Sequence, residues 1–151
     1  CWMGDYGDVR YEGSSKEDPY LGDSCIKISY SAKKTQGSGW AGIFWQNPAN
    51  NWGNVDAGFD LSQAASLTFW AKGEKGGERI EEFKVGGIMG EFSDSDSAVI
   101  GPVILNKEWT KYTIDLKGKD MSYIIGGFCW AVNVDNNPEG AVFYLDEIKF
   151  E

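Results

Sequence analysis

The sequence predicts an all-β chain folded as an antiparallel two-sheet β-sandwich, and three observations predict it. Short runs rich in Val, Ile, Thr, Tyr, Phe and Trp recur along the chain, each bounded by Gly, Asn, Asp, Ser or Pro. Helical periods between them are nearly absent, which argues against alternating strand and helix and a parallel sheet. The length, 151 residues, suits one domain with a real core and is too short for two full domains.

The strand runs fall at residues 24–32, 39–46, 66–71, 80–85, 98–105, 110–116, 123–134 and 141–150. A single helical turn is expected at residues 61–65, capped by Asp60. Between the runs lie loops of distinct chemistry. Asn47-Pro-Ala-Asn-Asn-Trp-Gly-Asn54 is polar and turn-rich with a tryptophan at its middle, and Gly73-Glu-Lys-Gly-Gly77 reads as a hairpin turn. Glu91-Phe-Ser-Asp-Ser-Asp-Ser97 is an acidic serine loop, and Asp135-Asn-Asn-Pro-Glu-Gly140 turns between the last two strands. No repeat or linker divides residues 1–151, so they form one domain, whose abrupt Cys1-Trp2-Met3 opening suggests an excised segment of a longer chain.

Composition removes several function classes. With no His, neither a Ser-His-Asp triad nor an imidazole zinc site can form. A net charge of −9 repels phosphate backbones and anionic lipid surfaces, so neither nucleic acid nor membrane is an expected partner. No apolar run approaches the roughly 20 residues that span a bilayer. Cys1, Cys25 and Cys129 allow at most one internal disulfide and no C-x-x-C pair; Cys25 and Cys129 are either bridged or two buried thiols. What remains in excess is aromatic: 15% of the residues, including seven Trp.

Period-2 alternation sorts these side chains onto faces. One arrangement collects Trp40, Phe44, Gln46, Trp70, Lys72, Glu82, Lys84, Phe128 and Trp130 on a single sheet surface. Flat rings stack on the apolar C–H faces of pyranoses, and charged or amide groups bond ring hydroxyls. Trp45 and Trp52 flank the Asn-rich loop and join the ligand candidates, whereas Trp109 reads as a packing residue at a strand start. Catalysis finds little support. Glu81 and Glu82 point to opposite faces, and Glu78 and Glu82 lie roughly 13 Å apart along a strand. Ile80 stands where a laminarinase-like motif places an Asp between its two Glu.

Three stretches carry a family resemblance: Leu67-Thr-Phe-Trp-Ala-Lys-Gly73, Glu108-Trp-Thr-Lys-Tyr-Thr-Ile-Asp-Leu116 and Phe143-Tyr-Leu-Asp-Glu-Ile-Lys-Phe150. In order and spacing they resemble strands of the galactose-binding-like jelly-roll carbohydrate-binding modules of bacterial plant-polysaccharide-degrading enzymes. The resemblance covers about residues 22–150. It implies jelly-roll topology, non-catalytic glycan binding and a structural calcium ion. In that family a last-strand Asp meets oxygen ligands from near the N-terminus, which here implies Asp146 with Asp8, Gly22 and Asp23.

The resulting expectation is an extracellular or cell-surface, non-catalytic module. It binds a plant-type β-linked polysaccharide through an aromatic sheet face and tethers a companion glycanase. The alternatives are a structural or adhesion sandwich without sugar affinity, and a small glycoside hydrolase on the same fold.

Overall fold

The computed structural model describes residues 1–151. Twelve strands follow in chain order. They are β1 (Trp2–Gly4), β2 (Val9–Ser15), β3 (Cys25–Tyr30), β4 (Trp40–Gln46), β5 (Ser66–Gly73) and β6 (Arg79–Ile80), then β7 (Glu82–Gly86), β8 (Ser97–Ile100), β9 (Val103–Ile104), β10 (Thr110–Asp115), β11 (Gly126–Asn133) and β12 (Ala141–Phe150). The first five-stranded sheet has the order β1-β4-β11-β7-β8 and the second β10-β5-β12-β3-β2, with β6 and β9 paired beside them. Every pairing is antiparallel.

The inner faces hold the core. Ile28, Leu67, Phe69, Phe83, Trp130, Phe143 and Leu145 are fully buried. Phe69 of the second sheet meets Phe83 and Phe128 of the first at ring-centroid distances of 4.6 and 5.2 Å. Trp130 stands edge-on to Phe143 at 5.1 Å. Offset and edge-to-face contacts of this kind add to the burial of the rings themselves.

Two expectations are corrected here: the helical turn at 61–65, and the single runs at 80–85 and 98–105, each of which divides into two strands in different sheets. Residues 61–65 form no helix: Asp60 Oδ1 accepts from the Ser62 backbone N–H at 3.0 Å, an Asx-type turn that ends without a helical continuation. The only helical element is a 3₁₀ turn at Tyr6–Asp8, which with β1 and β2 orders an N-terminal stretch where the sequence predicts no strand. All three cysteines are free thiols, and burial pushes the Cys129 thiol up to about 12, so it stays protonated at neutral pH. No helix is long and apolar enough to cross a membrane.

Because Trp130 fills the space between the sheets, Trp130→Ala is expected to cost about 3–5 kcal/mol of stability. Chemical denaturation followed by circular dichroism reads that loss, and an unshifted midpoint would contradict the inward assignment.

Candidate functional site

Register decides which aromatic rings can meet a ligand. Trp130 pairs with Ile43 and Cys129 with Phe44, so β11 turns Phe128, Trp130 and Val132 inward and Cys129 and Ala131 outward. On β4 the outward set is Trp40, Gly42, Phe44 and Gln46; on β7 it is Glu82 and Lys84, which pair with Ala131 and Cys129. The outward parity of the central strands is thus small: Gly42, Cys129 and Ala131. Larger neighbours stand around it, and the difference makes a groove.

That groove encloses about 430 Å³ on the outer face of the first sheet. Trp40 and Trp52, 39% and 43% exposed, stand on its walls, with Met89 on the rim. Phe44 forms the floor, met edge-on by Trp52 at 5.9 Å and capped by the Lys84 ammonium 5.5 Å from its centroid. Neither Glu82 nor Lys84 takes part in an ion pair. Farther along the same face of β4, the Gln46 amide has both Nε2 and Oε1 buried without a hydrogen-bond partner. The groove therefore presents apolar rings beside one free cation and one free carboxylate.

The Asn-rich loop is built to hold Trp52. Asn51 is 1% exposed and acts as its internal brace. Its Nδ2 donates to the Asn47 and Val55 carbonyls at 2.8 and 3.0 Å, and its Oδ1 accepts from the backbone N–H groups of Gly53, Asn54 and Val55. Gly53, at φ +90°, brings the loop against the Met89 carbonyl, where a Cβ would collide. On the other side, Asp94 accepts from the N–H groups of Ile88 and Gly126 at 3.0 and 3.3 Å and from Ile125. The acidic serine loop thus ties the 86–94 segment to the start of β11.

The second sheet disposes of the remaining candidates. Trp70 and Lys72 lie on its outer face, away from the groove, under a strap formed by residues 16–24. Tyr20 stacks on Trp70 at 3.8 Å and 15°, occupying the ring face a sugar would need. The Lys72 ammonium pairs with Asp18 at 2.5 Å and sits 5.5 and 5.0 Å from the Trp109 and Tyr144 rings. Trp109 Nε1 donates to the Asp18 carbonyl at 2.8 Å, the packing role expected of it. Trp45 faces inward near the sandwich edge, 5.6 Å from Phe128 and 6.2 Å from Tyr11. Of the nine expected ligand residues, Trp40, Gln46, Trp52, Glu82 and Lys84 share the groove face; Trp45, Trp70, Lys72 and Trp130 do not.

Of the four residues expected to hold calcium, Asp8 lies apart from Asp146 and from the strap that carries Gly22 and Asp23. Asp146 Oδ2 accepts from the Tyr20 and Leu21 N–H groups at 3.0 and 3.1 Å, and its Oδ1 from Glu147 N–H at 2.8 Å. The carboxylate thereby anchors the strap that carries Gly22 and Asp23. Asp8 lies at the opposite end of β3, beside Tyr30, where its Oδ2 accepts from Lys34 N–H.

No family model and no curated protein matches the chain. Solved structures do. A family 30 carbohydrate-binding module of a Clostridium thermocellum cellulosomal cellulase superposes with a TM-score of 0.66 at 17% identity, covering 99% of this chain and 89% of that one. A family 11 module from the same organism, in complex with a β-1,3-1,4-mixed-linked tetrasaccharide, gives 0.62 at 17% identity over 94% and 81%. The xylan-binding domain CBM22-1 of Paenibacillus barcinonensis Xyn10C gives 0.54 at 14% over 99% and 84%. The chain therefore has the jelly-roll β-sandwich fold of carbohydrate-binding modules.

Two outcomes follow from these contacts. Asn51→Ala is expected to cost about 1–3 kcal/mol and to release Trp52, seen as a rise in solvent quenching of tryptophan fluorescence. Hydrogen bonds from Lys27 and Tyr144 hold the Glu17 carboxyl below its ordinary range. Its stabilisation is present above that range and disappears as pH falls through the lowered value. Glu17→Gln is expected to flatten the acid side of the melting-temperature profile; parallel wild-type and variant profiles would contradict the strap contacts.

Proposed function

We propose that this chain is a non-catalytic carbohydrate-binding module whose groove holds a neutral, β-linked plant-type polysaccharide. The observation that carries the reading is the coexistence of the partly exposed Trp40 and Trp52 rings with the unpaired Glu82 and Lys84 in one groove. Pyranose C–H faces lie against the rings, while Lys84 donates to, and Glu82 accepts from, the equatorial hydroxyls. Gln46, farther along the same face of β4, is the amide nearest this polar set on that strand. Charge supports a neutral polymer, since a chain at −9 repels polyuronates at low salt. Two structural neighbours, a family 11 module in complex with a mixed-linked tetrasaccharide and a xylan-binding domain, support the β-linked class.

Binding rather than hydrolysis follows from the carboxylate count. Glu82 is the only acidic side chain lining the groove, and glycoside hydrolysis ordinarily needs a flanking pair. A module of this kind acts outside the cell or at its surface. By holding a linked glycanase on its polymer, it raises the enzyme's local concentration without any chemistry of its own.

Affinity electrophoresis through mixed-linkage β-glucan, hydroxyethylcellulose, xylan and galactomannan tests the reading. Retardation by at least one polymer is expected. Trp40→Ala and Trp52→Ala should each weaken it by about 1–3 kcal/mol, by analogy with aromatic stacking on nucleic-acid bases. Lys84→Ala should weaken binding with little change in melting temperature, whereas Trp70→Ala should leave affinity unchanged and lower stability. Free migration in every polymer favours a structural or adhesion domain, and release of reducing sugar from β-glucan favours an enzyme.

A further inference from the structure

Where β4 ends and β11 begins, the inner faces of the two sheets leave a space between them. It is a cavity of about 320 Å³ walled by Ile26, Trp45, Leu67, Phe128, Ile148 and Phe150. Register places these walls between the layers. Trp45 pairs with the buried Phe128 on the first sheet; on the second, Phe150 pairs with the fully buried Leu67, and Ile26 with the fully buried Leu145. Phe150, 37% exposed, is the wall most open to solvent.

Both sheets depart from regular pairing at this cavity. On β11 the register against β4 shifts between Gly126 and Phe128, which leaves Gly127 as an extra residue. On β12 the register against β5 shifts between Asp146 and Lys149. Gly127, Ile148 and Lys149 all belong to the lining. Glu147, within the second bulge, holds a left-handed φ of +50°, its N–H fixed on Asp146 Oδ1 at 2.8 Å. A bulge bends its strand and re-aims side chains, and a non-glycine residue at positive φ persists only where its surroundings impose it. Facing bulges thus border a space that a protein interior ordinarily fills, since cores leave few voids larger than a water molecule.

The chemistry of the walls selects what the space can hold. Lys149, the one charged side chain in the lining, is ion-paired with Glu151 at 3.5 Å. An ion or a polyhydroxyl ligand would give up water here and gain few polar partners. Water itself finds few partners on such walls, and its replacement by an apolar group gains affinity. An apolar protein cavity of about 150 Å³ takes benzene. The larger space between these sheets has room for a substituted ring. Trp45, Phe128 and Phe150 offer that ring offset and edge-on contacts, which an aliphatic group cannot reciprocate.

From these walls we infer that the inter-sheet cavity is a binding site for a small neutral aromatic molecule of one substituted ring, such as a phenol or an aryl ester. The site is separate from the groove, because Trp45 and Phe128 face inward where Trp40, Phe44 and Gln46 face out. It does not depend on the glycan reading.

Amide NMR titration of the whole chain with p-cresol and methyl cinnamate, and with cyclohexanol as the aliphatic control, tests it. At least one arene should shift the amides of Gly127, Ile148 and Phe150 saturably and bind more tightly than cyclohexanol, in Trp40→Ala protein as in the parent. An added Cβ at Gly127 would meet nothing nearer than the Trp45 carbonyl at 4.0 Å, so Gly127→Leu puts a side chain where the bulge leaves room. That variant should weaken arene binding about tenfold or more. Phe150→Ala, which removes one ring from the exposed wall, should weaken it about threefold or more and keeps the test decisive if Gly127→Leu fails to fold. Absence of saturable shifts with both arenes overturns the site, as does affinity unchanged in both variants. Equal affinity for cyclohexanol overturns the aromatic assignment. Saturable shifts confined to the groove amides of Gly42 and Ala131 place the arene in the groove and overturn the cavity.

Discussion

The layer of aromatic rings between the two sheets is the constraint on which the rest of the molecule depends. Phe69, Phe83 and Phe128 interlock across the gap, and Trp130 stands against Phe143. Large rings bury most area per residue, so the inward parity of β11 belongs to Phe128 and Trp130. Successive residues on a strand face opposite ways, so the outward parity falls to Cys129 and Ala131. The groove is therefore the complement of the core: it is deep where β11 and β4 have spent their bulk inward.

The two outer faces use similar residues to opposite ends. On the second sheet, Trp70, Trp109, Tyr144 and Lys72 have partners supplied by the strap, through Tyr20, Glu17 and Asp18. That face is a small satellite core with its charges paired. On the first sheet, Trp40, Trp52, Glu82 and Lys84 have no such cover. Effort goes instead into positioning: Asn51 braces the loop that carries Trp52, and Asp94 fixes the segment leading to Met89. Rigid placement of rings before binding lowers the ordering cost that a flexible chain ligand would otherwise add to its own.

Asp146 illustrates how one residue type admits two roles. A carboxylate at that point of the last strand can ligate a cation or accept backbone N–H groups. Here the strap turns its Tyr20 and Leu21 N–H groups onto it.

Local residue chemistry was sufficient to determine the fold class and most strand runs from residue 24 onward, although the runs 80–85 and 98–105 each divide between the first sheet and the β6–β9 pair. β-Branched and aromatic runs broken by Gly, Asn and Pro have few other stable outcomes. It also determined the presence of an aromatic excess with charges among it, and the placement of Trp40, Gln46, Glu82 and Lys84 on one face followed from alternation along β4 and β7. Only the tertiary structure decided between the two parities of β11, because alternation says which residues oppose each other and not which set faces the partner sheet. The same limit applied to Trp70, whose outward face depends on a strap some fifty residues away in sequence, and to Asp146, whose partners are backbone groups that no side-chain pattern announces. The short strands β1 and β2 escaped for a related reason. β1 spans only three residues and β2 mixes Val9 and Tyr11 with charged and small residues, so pairing with β4 and β3 rather than composition makes them strands.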